Sequence, residues 1–89
     1  MSTHTESETE IRHWLAEQVG GIVGRASHDV LPDELMAEYG VDSLHAIALT
    51  GAIEERWGVG LDATVAWEYP TIALLAEFLA AEIAVGAVD

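Results

Sequence analysis

Three stretches of this chain place apolar residues at the three-and-four spacing of an amphipathic helix, and none sustains the alternation of a strand. Ile11, Trp14, Leu15, Gln18, Val19 and Ile22 share one face, ahead of which Thr5 and Ser7 each stand three residues before a glutamate, Glu8 or Glu10. That is capping-box spacing, and it predicts a first helix from about residue 7 to Val23 despite the weakening pair Gly20-Gly21. A second helix is predicted from Ser43 to Trp57, with Gly58 ending it and Ala46, Leu49, Ile53 and Trp57 as its inner stripe. Asp62 or Thr64 starts one short helical turn before Tyr69-Pro70 stops it. Thr71 then caps a fourth helix with Ile72, Leu75, Ala76, Leu79 and Ile83 inward. Between Gly24 and Asp42 no period persists, but Val30, Leu31, Leu35, Met36 and Tyr39 recur, which suggests a long loop pinned to the core.

The expected fold is therefore all-α: a four-helix bundle of three longer helices and one short third helix, with a long loop between helices 1 and 2. Residues 1–6 read as a disordered tail, 7–85 as the domain and 86–89 as a C-terminal tail. Trp14 and Trp57 both fall on inner stripes, so truncating either is expected to remove roughly 3 to 5 kcal/mol.

Composition narrows the function. The 89 residues carry sixteen acids against Arg12, Arg25 and Arg56, a formal charge of −13 without a lysine. Nucleic acid and anionic membrane would be repelled, and basic proteins are the natural partners. No cysteine means no disulfide framework and no thiolate nucleophile or metal site; His4, His13 and His28 lack ligand spacing, so no metal is expected. The acidic start has no signal-peptide pattern and no apolar run approaches a membrane span, which points to the cytoplasm.

The chemistry concentrates at "EYGVDSLHAIAL", residues 38–49. Asp42 is a good N-cap, and Ser43 is then either an ordinary first-turn residue or a place for a phosphate, which the positive helix end would stabilise through the N–H groups of residues 43 to 46. A Ser-His-Asp triad does not fit: Ser43 and His45 are two apart and project differently, and no catalytic residue is assigned. Opposite the inner stripe, Leu44, Ala48, Gly51 and Glu55 form an outer face with little charge, flanked by Ile47 and edged by Glu54. It is either ordinary exposed apolar surface that the long loop covers or a docking face for a partner offering an apolar patch rimmed with basic residues. A glycine inside a helix is unfavourable, so Gly51 marks either a gap filled by a neighbouring loop or a close approach by a partner.

From about residue 8 to 84 the chain resembles the acyl carrier proteins of fatty-acid and polyketide synthesis. "YGVDSL" is similar to the family's (L)G-x-D-S-L, "AIEERWGVGLD" resembles its second-helix ending, and "ATVAWEYPTIALLAEFL" resembles the T-x-x-F-D-Y-P-T segment of carriers in modular polyketide synthases. The resemblance implies that Ser43 receives 4'-phosphopantetheine from coenzyme A, that Asp42 belongs to the patch read by the phosphopantetheinyl transferase, and that Leu44 and Ile47 frame the base of the arm. It further implies a carrier rather than an enzyme, holding acyl thioesters for an acyltransferase, acyl ligase or ketosynthase with a basic docking patch. Tyr39 stands where leucine is usual and Trp67-Glu68 where Phe-Asp is, while Ala48 and Gly51 replace the glutamate and bulky apolar residue frequent in fatty-acid carriers. The first two changes are conservative; Ala48 and Gly51, with the polyketide-type third-helix segment, imply polyketide or related specialised metabolism, and the lysine-free, Ala- and Gly-rich composition fits a high-GC bacterium. The chain's ends suggest a discrete carrier, and a monomer is expected. A peptidyl or aminoacyl carrier, or a small acidic interaction module without a prosthetic group, are the alternatives.

Overall fold

The computed structural model describes residues 7–88, so the tail read over residues 1–6, Thr5 as a cap, and Asp89 lie outside the described residues. Within them the order is α1 (Glu8–Val23), α2 (Ser43–Trp57), α3 (Val65–Glu68) and α4 (Ile72–Val88), with 3₁₀ turns at Ser27–Asp29 and Met36–Tyr39 in the long loop. The bundle expected from periodicity is present.

Local signals explain the helix ends. Ser7 Oγ accepts the Glu10 N–H at 3.1 Å while Glu10 Oε1 accepts the Ser7 N–H at 2.9 Å, a complete capping box at the start of α1. Gly24 and Gly58 close α1 and α2 in the left-handed region, at φ 77 and φ 71, which a side chain would resist. Thr71 Oγ1 accepts the Leu74 N–H at 3.1 Å, as a cap for α4 should. That helix runs on to Val88, so residues 86–88, read as tail, are helical.

Ile11, Leu15 and Val19 of α1 pack with Ala46, Leu49 and Ile53 of α2 and with Ile72, Leu75, Ala76, Leu79 and Ile83 of α4 in one core. Thr50 joins the buried face of α2 because its hydroxyl donates to the Ala46 carbonyl at 2.8 Å, which satisfies it without water. Gly20 is buried where the chain doubles back after α1. The Arg25 N–H donates to the Gly20 carbonyl at 2.8 Å, and a Cβ at position 20 would collide with the Arg25 carbonyl oxygen.

Two expectations need correction. Trp14 and Trp57 are only partly buried; their rings meet edge to face at 4.8 Å, with the Arg56 guanidinium 5.6 and 5.1 Å from the two centroids. An outward pair keeps part of its solvent contact when folded, so truncation removes less than a core aromatic would. In the loop, Val30, Met36, Tyr39 and Val41 are buried, whereas Leu31 and Leu35 are 54% and 46% exposed. Leu35 is held by its backbone, in an isolated antiparallel bridge to Thr71, and the neighbouring bonds from Met36 N–H to Pro70 O and from Ala73 N–H to Pro32 O, both 2.9 Å, tie the loop to the start of α4.

Tyr39 is 6% exposed and its hydroxyl, buried, has no hydrogen-bond partner among the described residues. Desolvation pushes its pKa up to about 12; Glu34 adds to the shift and Arg25, whose guanidinium lies 5.0 Å from the ring centroid, opposes it.

Candidate functional site

The loop delivers the chain to α2 through Tyr39, Gly40 and Val41. Tyr39 and Val41 are anchored in the core, and Gly40 between them turns the backbone at φ 97, ψ 12. Asp42 then caps α2, its Oδ1 accepting the His45 N–H at 3.0 Å. That bond is the main reason the Asp42 carboxyl lies below its usual range, with smaller help from the His45 imidazole and the Leu44 N–H. The Ala46 N–H is taken by the Asp42 carbonyl at 2.8 Å. Of the amides expected to face an anion, those of His45 and Ala46 are thus already used.

Ser43 occupies the first position of α2, exposed, and its hydroxyl makes no hydrogen bond to any described residue. Along the outer face, Leu44 is 75% and Ile47 56% exposed, and Ala48, Gly51 and Glu55 are exposed beside them. A Cβ at Gly51 would meet nothing within 4 Å, so among the described residues no loop fills that gap. Glu54 departs from the expected rim: its Oε2 accepts the Leu61 N–H at 2.8 Å and holds the segment after α2. His45, weighed in the sequence only as a triad member and set aside, enters the site in another role: its side chain reaches back to Gly40 and Asp42. A side chain able to bond backbone, three residues after an N-cap acid, was the available signal.

A groove of about 330 Å³ lies elsewhere, lined by Arg12, His13 and His28 among others, and shares no residue with the Asp42–Glu55 face. Among the described residues no three His, Asp or Glu side chains gather as metal ligands, and no helix is long and apolar enough to cross a membrane.

The phosphopantetheine attachment site family matches residues 13–79, which include the whole Asp42–Glu55 face. The chain belongs to that family. It is therefore a carrier domain for covalently bound phosphopantetheine, acted on by separate enzymes. It is 36% identical over 81 residues to a phenolphthiocerol/phthiocerol polyketide synthase of Mycobacterium tuberculosis, covering 91% of this chain and 4% of that protein. The carrier thus spans a small fraction of such a synthase. Among solved structures it resembles a free-standing peptidyl carrier protein from Acinetobacter baumannii, at a TM-score of 0.84 and 28% identity, covering 86% of this chain and 96% of that one. BlmI, a type-II acyl carrier protein of Streptomyces verticillus involved in bleomycin biosynthesis, matches with a TM-score of 0.78 and 29% identity over 85% and 89% of the two chains.

Proposed function

We propose that this domain holds acyl intermediates as thioesters on a phosphopantetheine arm attached to Ser43, as a discrete cytoplasmic carrier in polyketide or related specialised biosynthesis. The observation that carries the reading is the Ser43 hydroxyl: exposed, unbonded among the described residues, and at the positive end of a 15-residue helix. A phosphodiester formed there faces the helix dipole. The surroundings fit the group, since Leu44 and Ile47 offer open apolar surface beside the serine and the Asp42 carboxylate is engaged with the His45 N–H. Ser43 would hold the arm through its Oγ, and the arm supplies the thiol that this cysteine-free chain lacks. The likeness to polyketide synthase segments supports the pathway class, and that to free-standing and type-II carriers supports a separate protein.

The outer face of α2 is the proposed docking surface for a phosphopantetheinyl transferase near Asp42 and for an acyltransferase, acyl ligase or ketosynthase further along. Leu44, Ala48 and Gly51 supply contact, and Glu55 with the chain's charge of −13 favours a basic partner. Glu54, engaged with Leu61, contributes less than Glu55.

Intact mass tests the assignment. Incubation with coenzyme A and a broad-specificity transferase should add one phosphopantetheine to the parent and none to a folded Ser43→Ala variant. An unmodified parent, or a modified Ser43→Ala, would overturn it. Subsequent loading with acyl rather than aminoacyl groups by the cognate enzyme separates acyl from peptidyl carriage.

A further inference from the structure

His45 spans the joint between the long loop and α2. Its Nδ1 lies 2.8 Å from the Gly40 carbonyl oxygen, 3.4 Å from the Asp42 backbone nitrogen and 3.3 Å from Asp42 Oδ1. One ring nitrogen does not donate to a carbonyl and accept from an amide at once. At 2.8 Å from a carbonyl oxygen a proton must lie between, so Nδ1–H donates to Gly40 and the longer Asp42 N–H contact is secondary. A capping box needs only the Asp42 contact, which glutamate or glutamine provides. The grip on Gly40 does nothing for the helix's own N–H groups. What it restrains is the one residue of the approach, Gly40 at φ 97, that lacks a Cβ to limit its backbone.

We propose that His45 is a positioning residue for arm attachment, tying the Gly40 carbonyl to α2 so that Asp42 and Ser43 meet the transferase in a single conformation. The proposal rests on Ser43 as the attachment residue. Without the tie the Gly40 joint samples several conformations, and the transferase binds only the competent fraction. KM then rises by the inverse of that fraction while kcat is unchanged.

Three variants separate this role from helix capping. His45→Glu can accept from the Asp42 N–H but cannot donate to Gly40; His45→Gln can do both with its two amide atoms; His45→Ala does neither. At a temperature well below every melting point, Ala and Glu should raise the KM for phosphopantetheine loading about five- to tenfold with kcat within about twofold, and Gln should restore KM to within about twofold of the parent. In the unloaded protein, the amide resonances of Gly40 to Ser43 should broaden or split in the Ala and Glu variants and stay single in Gln. If His45→Ala folds poorly, the cap-competent Glu and Gln pair carries the comparison. Parental KM and unchanged Gly40–Ser43 resonances in the variants would overturn this proposal alone. A parent that accepts no arm would overturn it together with the Ser43 assignment.

Discussion

Two helical glycines should respond to alanine with opposite signs. Either substitution gains helix propensity of about 1 kcal/mol, because alanine surrenders less backbone entropy than glycine. At Gly51 nothing opposes that gain: the residue is exposed and a Cβ meets no atom within 4 Å. Gly51→Ala should therefore stabilise by about 1 kcal/mol, which in a domain of this size raises Tm by roughly 4 to 8 °C. At Gly20 the new Cβ runs into the Arg25 carbonyl oxygen, a backbone atom. That carbonyl cannot retreat freely, because the Arg25 N–H is bound to Gly20 O at 2.8 Å in the turn that ends α1. Forcing it aside is overpacking, with a penalty of about 1 to 3 kcal/mol plus strain on the cap, enough to exceed the propensity gain. Gly20→Ala should thus lower Tm by several degrees. Melts followed by far-UV circular dichroism, with urea titrations, compare the two variants with the parent. A Gly20→Ala protein melting at or above the parent would refute the close approach, and a destabilised Gly51→Ala would mean that the outer face of α2 is covered in the free protein.

Tyr39→Phe should be neutral or stabilising by up to about 1 kcal/mol, because it removes a buried hydroxyl without a partner; a loss above that in urea titration would reveal a bound water. The same variant should resist alkali better. Folding suppresses Tyr39 ionisation up to about pH 12 while the unfolded chain ionises near 10.0, so parental stability is intact below the lower value and falls between the two. Asp42 behaves in the opposite sense: its lowered pKa contributes stability that is present above pH 3.8 and is lost as pH falls through the folded value. Asp42→Asn, which caps without titrating, should flatten the dependence of Tm on pH across the acid range. Trp14→Ala and Trp57→Ala should each cost about 1.5 to 3 kcal/mol, below the full burial range, and the double variant should cost less than their sum because both single variants lose the same edge-to-face contact.

What the sequence determined by itself was whatever closes within a turn or repeats along one helix. The Ser7–Glu10 box, the Asp42 and Thr71 caps and the Gly58 stop are bonds between residues at most four apart, and the stripes of α1, α2 and α4 follow from helical pitch. Asp42-Ser43 at the mouth of α2 was legible for the same reason, since the cap and the following helix are local. Tertiary structure decided whatever depends on a distant neighbour. Leu31 and Leu35 are as apolar as Val30 and Met36, yet only the second pair is buried, because the bonds to Pro70 and from Ala73 set how the loop lies on α4. Glu54 looks like Glu55 in the sequence until the returning chain presents the Leu61 N–H to it. Gly20 and Gly51 are likewise indistinguishable by propensity. Only packing shows that one glycine makes room for the Arg25 carbonyl and the other leaves a gap facing solvent, because a steric requirement belongs to the pair of atoms that meet and not to either stretch of sequence alone.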